Sequence, residues 1–293
     1  MTNAWDGLIY AILTGLVFAY MAYRSKSYML YAKRYFLIAI GGILFTLPFS
    51  LFFKPFVSGI GVLCAPQFLT NLEKLGPFLF EADHCQRSPL YQLIILHGFW
   101  YFWAVSFIVF LWKKRKLITN YLPAGRHGQL PVTDLFVLIL IGLSTLLLIL
   151  PEFIYAKDIY PGHYRANTMF KLGYEAFMML GISTAYIILR LITNYKLLIT
   201  NFKLLQKLLL VALICIGSIG LFLVAIYPYF AINSYYGSLK INRGLDGLTY
   251  LRDLYPEDYE AILWIRDNIS DQPVILEAAG ESYTDYARVS ANT

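Results

Sequence analysis

The chain has 293 residues, a formal net charge of +6, and a composition that is 58% hydrophobic and 14% charged. Soluble domains carry roughly 25% charged residues, so the composition excludes an ordinary soluble protein and predicts a membrane protein. The basic excess lies in the connections between apolar segments, where it sets membrane topology and meets anionic lipid. We therefore expect membrane lipids as partners, and we expect no nucleic acid.

Six apolar runs have the length that a helix needs to cross roughly 30 Å of hydrocarbon. They cover residues 7–23, 35–53, 90–112, 135–150, 172–189 and 208–230. The predicted fold class is an all-α polytopic membrane protein of about six transmembrane helices, followed by a small, incomplete α/β extracytoplasmic tail. We expect two domains: a transmembrane helical domain over residues 1–230 and the tail over residues 231–293.

The connections alternate in charge. Residues 23–35, 113–131 and 190–207 together hold thirteen basic residues and no acidic one. The positive-inside rule predicts that these connections are cytoplasmic, which places the N-terminus, the segment 152–171 and the tail on the outer face of the cell membrane. Met1 would then be external, with six residues before the first run, which motivates the hypothesis that an upstream part of the protein is missing.

The external connection 54–89 contains an apolar piece at 55–69 that is too short to cross the membrane, and we expect it to lie in the interface or to dip back. Cys64 and Cys85 share this connection and are candidates for a disulfide. Cys215, in the last apolar run, is expected to be a small apolar filler. His97 stands alone in an apolar run, a pattern more typical of a packing residue than of a metal ligand.

The tail has its own composition, because ten of the eighteen acidic residues fall between Asp246 and Asp285. Residues 256–269 have acids in the first turn and apolar residues spaced three and four apart, which predicts an amphipathic helix. Residues 273–280 predict a buried strand that ends in a glycine-rich loop. Glu277, at the end of this strand, is a candidate ligand contact; a solvated loop acid is the alternative.

The segment 152–171 places ionisable residues between two long apolar runs. A charge near hydrocarbon costs roughly 2.5 to 3.5 kcal/mol on insertion scales, so such residues usually face a cavity, a partner or a pathway. The alternative is an outer loop in water, in which Asn167 or Thr168 caps the next helix. Lys171 and Glu175 lie beyond that cap, inside the apolar run, at the spacing of an intrahelical ion pair.

Four separated groups of motifs in this chain follow the order of a known family. They are residues 3–10 (Asn-Ala-Trp-Asp-Gly-Leu-Ile-Tyr); the segment 152–171, ending in Arg-Ala-Asn-Thr-Met-Phe-Lys at 165–171; Leu-Asp-Gly at 245–247 with Asp-Tyr-Glu-Ala-Ile-Leu-Trp at 258–264; and the stretches 274–283 and 288–293. In these motifs the chain resembles the Chlor_Arch_YYY family of multi-pass membrane proteins. The resemblance covers the middle to later part of the family pattern, which implies further spans upstream and a continuation downstream.

The resemblance implies a function, although that family is formally of unknown function. Its architecture is similar to the GT-C class of glycosyltransferases, which take sugar from a polyprenyl-phosphate donor at the outer membrane face. In that class the catalytic acid usually lies in the first external loop. That loop is not in this chain, so the catalytic acid is expected upstream.

Such chemistry needs cations near a departing phosphate and a carboxylate near the acceptor hydroxyl. Glu152 and Asp158 are the catalytic candidates, which would hold acceptor hydroxyls or a divalent metal ion. The candidates for substrate binding are Trp5, Asp6, Arg165, Asn167, Lys171, Glu175 and Glu277. Arg165 and Lys171 would contact the phosphate, together with backbone N–H groups at the helix start near Asn167.

Several of these residues also have a structural interpretation. Trp5 suits an interfacial aromatic belt and Asp6 a helix cap. Arg165 would equally bridge Glu152 or Asp158 as a staple of the loop.

Two other function classes stay open. A transporter would use Glu175, Lys171 and His97 along an ion pathway, although the chain shows no matching inverted halves. A non-catalytic scaffold would present the tail to a partner. The enzyme hypothesis predicts one outward cavity lined by the candidates of the segment 152–171, whereas a polar path to the basic connections would favour transport.

Overall fold

The computed structural model describes residues 4–53, 57–121, 131–157, 161–194, 204–237, 244, 246–271, 273–278, 280 and 286–292. Six helices in it are long and apolar enough to cross a membrane, and each coincides with one predicted apolar run. The protein is therefore a polytopic helical membrane protein, as the sequence predicts. A helix satisfies all its backbone hydrogen bonds internally, which hydrocarbon requires.

The elements follow one another as long helices separated by short ones and by four strands. The long helices are α1 (Ala4–Ser25), α2 (Tyr28–Phe52), α4 (Leu90–Tyr121), α5 (Val132–Ile149), α6 (Ala166–Thr193) and α7 (Leu204–Tyr236). The short helices are α3 (Gln67–Thr70), α8 (Thr249–Leu254), α9 (Pro256–Asn268) and α10 (Arg288–Asn292). The strands are β1 (Gly59–Val62), β2 (Lys74–Leu75), β3 (Phe78–Leu79) and β4 (Ile154–Lys157).

Helices α1, α4, α5 and α6 pack around two apolar clusters. In one cluster, Ile9 near the start of α1 lies with Leu147 near the end of α5 and Leu172 near the start of α6. In the other, Phe107 of α4 packs edge-on against Tyr186 near the end of α6, with ring centroids 6.2 Å apart. Helices α1, α4 and α6 therefore begin at the end where α5 finishes. This end also carries the strands, and we call it the sheet end; the other is the opposite end.

The outer helices pack through close contacts. The Tyr35 hydroxyl of α2 donates to the Ala11 carbonyl of α1 at 3.2 Å, which joins these helices as an antiparallel hairpin. Gly217 of α7 lies so close to the Trp103 ring of α4 that a side chain there would overlap it.

The four strands form one sheet in the order β2-β3-β1-β4. Strand β1 runs antiparallel to β4, with Ile60 opposite Ala156, and parallel to β3. Gly61 is required at its position, because a side chain there would overlap the Tyr155 ring. The apolar piece at 55–69, expected in the interface, thus contributes a strand and the short helix α3. The sheet joins the connection between α2 and α4 to the connection between α5 and α6.

The Cys64 and Cys85 disulfide, a candidate from the sequence, is present, with 4.3 Å between the Cα atoms. It closes the connection that carries β1, β2 and β3. The connection is therefore held both by a covalent link and by pairing with β4.

The chain divides into two compact units, Met1–Leu221 and Phe222–Thr293. The second unit contains the predicted amphipathic helix as α9, with Pro256 in its first turn and Glu257 and Asp258 beside it, a favourable start for a helix. The predicted strand over residues 273–280 is not formed at 273–278, where Val274 and Leu276 are fully exposed. The reason is that the described part of this unit offers no second strand to pair with. The predicted division at residue 230 stays a prediction.

Candidate functional site

Glu152, Arg165 and Ser88 form one bonded group at the sheet end, which we call the sheet-end brace. The Ser88 backbone N–H donates to one Glu152 carboxylate oxygen and the Ser88 hydroxyl to the other, both at 2.7 Å. Arg165 donates to Glu152 at 2.9 Å and to the Ser88 hydroxyl at 3.2 Å. The brace ties the end of α5 to the residue before α6 and to the start of α4.

The brace bears on the roles predicted for Glu152 and Arg165. Arg165 bridges Glu152, as in the loop-staple alternative, and it also donates to the Pro151 carbonyl at 3.3 Å. Glu152 accepts one hydrogen bond at Oε1 and two at Oε2, so a divalent ion would share this carboxylate with Ser88 and Arg165. Asp158, the predicted second ligand or catalytic acid, lies outside the described residues.

Asp6, Tyr10 and Glu175 form a second polar group, between α1 and α6 at the sheet end, in which Tyr10 is exposed and Asp6 half-buried. The Tyr10 hydroxyl of α1 donates to a Glu175 carboxylate oxygen of α6 at 2.9 Å. Glu175 is only 7% exposed. Asp6, one turn before Tyr10, has a buried oxygen, Oδ1, without a hydrogen-bond partner. Two carboxylates from different helices are thus placed around one tyrosine hydroxyl, where unpaired charge is costly.

Lys171 lies one turn nearer the sheet than Glu175 on α6 and is half-buried. The predicted intrahelical ion pair between them is not formed among the ion pairs of the described side chains. Thr168, expected as a helix cap, instead accepts a hydrogen bond from the backbone N–H of Ala156 in β4 at 3.0 Å. Asn167 lies in the first turn of α6. The side chain of Trp5 falls outside the described part of the structure.

The sheet carries a further cluster that the sequence did not suggest: Glu81, His84, Tyr155 and Lys157, the sheet cluster. The Tyr155 hydroxyl donates to Glu81 at 2.9 Å and, since its single proton is used, accepts from Nδ1 of His84. Lys157 donates to the other Glu81 oxygen. No spacing pattern could have revealed this cluster, because the partners lie on distant segments.

The sheet cluster shifts two pKa values. Burial raises the pKa of Glu81, but the hydrogen bonds from Lys157 and Tyr155 and the Lys157 charge outweigh it, so the pKa lies below its ordinary value. Burial, followed by the bond to Glu81, raises the pKa of the Tyr155 hydroxyl. Tyr155 therefore remains a donor across the physiological range.

The opposite end holds Asp134, Tyr186 and Arg190, which we call the opposite-end clamp. Asp134, in the first turn of α5, is fully buried. It accepts from Arg190 Nε and Nη2 at 3.1 Å each and from the Tyr186 hydroxyl at 2.5 Å. In the sequence, Arg190 is recognisable only as part of a basic connection. The only indication of this clamp in the sequence is one acid at the start of α5 and one arginine near the end of α6, the helix that packs antiparallel to α5.

The interior between the two ends is mainly apolar. Leu140 and Leu143 of α5 and Met179 and Leu180 of α6 are buried there. The buried Ser144 hydroxyl donates to the Leu140 carbonyl of its own helix at 2.7 Å. Ser183 and Thr184 of α6 are buried there as well, so the transporter alternative stays a prediction.

Glu277 belongs to the second unit. Its carboxylate accepts from the backbone N–H groups of Val289 at 2.6 Å and Ser290 at 3.1 Å, at the start of α10. Slight desolvation raises the pKa of Glu277, but these hydrogen bonds outweigh it and lower the pKa. The carboxylate thus caps a helix start locally. Its predicted role in ligand binding stays a prediction.

Within the ranges that the structure describes, no group of three or more histidine, cysteine, aspartate or glutamate side chains is arranged to hold a metal ion. Glu152 is instead bonded to Ser88 and Arg165, and Glu175 to the Tyr10 hydroxyl.

Comparison with protein families finds one described as "Uncharacterized membrane protein (DUF2298)", which matches residues 1–130 and 117–180. The matched residues contain the first four long helices, the first part of α6, the sheet, the sheet-end brace and the carboxylates of Asp6 and Glu175. No curated protein and no solved structure matches the chain.

Proposed function

We propose that the chain, which belongs to this family of uncharacterized membrane proteins, is a GT-C-like glycosyltransferase. The proposed donor is a polyprenyl-phosphate sugar, and the proposed reaction side is the sheet end, taken as the outer face of the cell membrane. The resemblance to the Chlor_Arch_YYY family supports this proposal. The orientation is supported by the basic connections, which all leave the long helices at the opposite end.

The observation that carries the proposal is the polar group between α1 and α6. Asp6 has a buried carboxylate oxygen without a partner, and Glu175 is bonded to Tyr10. Lys171 stands one helical turn away towards the sheet and forms no ion pair among the described side chains. A cation and an unengaged carboxylate thus lie at a membrane boundary, where a lipid-linked phosphate sugar and a hydroxyl acceptor would meet.

The chemistry assigns one task to each side chain. The acceptor hydroxyl oxygen attacks the anomeric carbon of the donor, a new C–O bond forms, and the bond from that carbon to the phosphate oxygen breaks. The acceptor proton passes to Asp6, which acts as general base. Lys171 stabilises the negative charge on the departing polyprenyl phosphate. Glu175, through Tyr10, positions α1 against α6.

The remaining candidates support this geometry. Arg165 and Glu152 hold the start of α6 in place through the sheet-end brace, so Arg165 is a positioning residue while it stays bonded to Glu152. The first turn of α6, with Asn167, directs backbone N–H groups towards the side on which a phosphate would sit. Trp5 and Glu277 remain predicted substrate contacts from the sequence, and Asp158 remains a predicted catalytic residue.

The test uses the full chain in membranes with a photoactivatable short-chain polyprenyl phosphate and with polyprenyl-phosphate [³H]mannose as donor. Lys171→Gln is expected to lower photolabelling at least about tenfold, since one charged hydrogen bond contributes about 1.5 to 3 kcal/mol, and Lys171→Arg is expected to retain it. Lys74→Gln, which removes an exposed lysine of β2, is the matched control and should label normally. Asp6→Asn is expected to label normally and to release no [³H]mannose from the lipid.

Two results would overturn the proposal. One is equal labelling of wild type, Lys171→Gln and Lys74→Gln, which would remove the phosphate contact. The other is full sugar release by Asp6→Asn, which would remove the base.

A further inference from the structure

A cavity of about 310 Å³ lies between α1, α5 and α6 towards the opposite end. Its lining includes Val17, Tyr20 and Met21 of α1, Phe136 and Leu140 of α5, and Ile182 of α6. Phe136 and Ile182 are 40% and 60% exposed, so the cavity opens sideways towards the membrane. Its volume is at the lower end of the range for ligand pockets, roughly 300 to 1,000 Å³.

The walls offer almost nothing to a polar ligand. The nearby polar atoms are used by one another: the Tyr186 hydroxyl bonds Asp134 at 2.5 Å and Thr133 at 3.1 Å, and Arg190 occupies both Asp134 oxygens. Because the clamp satisfies these groups, what remains facing the cavity is hydrocarbon. A hydrocarbon chain fits such a wall, and in a bilayer lipid chains surround it.

The mouth of the cavity has the opposite character. Arg24 lies three and four residues beyond Met21 and Tyr20, on the same face of α1, and is exposed. No ion pair of the described side chains includes it. The neighbouring connections 23–35 and 190–207 contain basic residues and no acid. The nearest buried acid, Asp134, is balanced by Arg190, so the field at the mouth is positive.

We propose that this cavity binds an anionic membrane lipid, with one acyl chain between α1, α5 and α6 and the headgroup phosphate on Arg24. The apolar walls favour an acyl chain, and Arg24, a cation without an ion-pair partner among the described side chains, favours a negatively charged headgroup at the membrane surface. The site is separate from the proposed sheet-end chemistry and does not depend on it.

Native mass spectrometry of the full chain, released from nanodiscs of equal phosphatidylglycerol and phosphatidylcholine, tests the acyl-chain part. Wild type is expected to keep one phosphatidylglycerol under activation that strips the surrounding lipids. Val17→Phe places a larger side chain in the cavity and should abolish retention. Val109→Phe is the matched control, because Val109 is an exposed residue of α4 and does not line the cavity; it should retain the lipid.

The headgroup part is tested by Arg24→Gln, an exposed substitution that leaves the packing of α1 intact. Loss of one cation at the surface should lower the ratio of retained phosphatidylglycerol to phosphatidylcholine about fivefold. Lys114→Gln changes the net charge equally at the same end, on α4, and should leave the ratio unchanged.

Three outcomes would overturn the proposal. Retention by Val17→Phe equal to that of Val109→Phe would mean that the lipid binds elsewhere. An unchanged lipid ratio in Arg24→Gln would remove the headgroup contact. A dimer in wild type that Val17→Phe converts to a monomer, without retained lipid in either, would assign the cavity to a second copy of the chain.

Discussion

The sheet-end brace and the opposite-end clamp join the same two helices, α5 and α6. In the brace, Arg165, the N-cap of α6, pairs with Glu152, just after the end of α5. In the clamp, Arg190, near the end of α6, pairs with Asp134, at the start of α5. They differ in burial and in what surrounds them. The Asp134 side chain is 0% exposed and its oxygens are filled by Arg190 and Tyr186. The Glu152 side chain is 12% exposed, and the same end of the helices also carries Asp6, near the start of α1, and Lys171, near the start of α6.

The difference separates two uses of an ion pair. A fully buried carboxylate that is bonded to an arginine and a tyrosine holds helices together and is not accessible to a ligand. The brace holds helices together at the end that also carries the unpartnered Asp6 oxygen and Lys171, to which we assign the proposed chemistry. We therefore expect stability to depend most on the opposite-end clamp, and chemistry to depend on the sheet end.

The largest effect is expected from Asp134→Ala. Removing one member of a buried pair leaves the Arg190 charge without its partner and costs about 3 to 5 kcal/mol, which should appear in denaturant unfolding in detergent micelles. The double variant Asp134→Leu with Arg190→Leu should recover much of the loss, because no charge is then left unpaired. If Asp134→Ala lowers the free energy of unfolding no more than Glu152→Ala does, the opposite-end clamp is not the more important of the two for stability.

The next effect concerns the covalent link at the sheet end. The disulfide closes a loop with a sequence separation of 21 residues, and loss of the crosslink should cost about 3 kcal/mol by the chain-entropy estimate. Cys64→Ser with Cys85→Ser should speed hydrogen exchange in β1 and β3 while leaving α5 and α6 protected. Cys215→Ser serves as the control. Faster exchange throughout α5 and α6 would show that the two ends are not independent.

A smaller loss is expected from Arg165→Gln. This substitution removes the charged hydrogen bond to Glu152, worth about 2 kcal/mol, but leaves Ser88 bonded to both Glu152 oxygens. Thermal unfolding in micelles should therefore show a decrease smaller than that of Asp134→Ala. A larger decrease would reverse the order of the two ends.

The smallest effect is a dependence of the sheet on pH. The folded-state pKa of Glu81 lies below its ordinary value of 4.5, so its contribution to stability is present above that value and is lost as the pH falls through the folded-state pKa. Hydrogen exchange of β1 and β4 should rise on acidification below about pH 4.5 relative to that of α5. Glu81→Gln should remove this dependence; an unchanged acid response would exclude Glu81 as its source.

Much of the membrane domain followed from the sequence. Apolar length alone located all six long helices, because a span must satisfy its own backbone and match the thickness of hydrocarbon. The acids after Pro256 predicted α9, and the shared connection of Cys64 and Cys85 predicted their disulfide. These features depend on local composition or on neighbours in one segment.

The sheet, the clamp and the sheet cluster were decided by the tertiary structure. Strands of two to four residues carry little periodic signal, and Ile60 finds its partner Ala156 only after the two intervening long helices, α4 and α5, have brought the two connections together. The lipid-facing cavity likewise exists only where α1, α5 and α6 converge. Hydropathy is a property of a segment, whereas strand pairing and the partner of a buried charge are properties of pairs that folding makes neighbours.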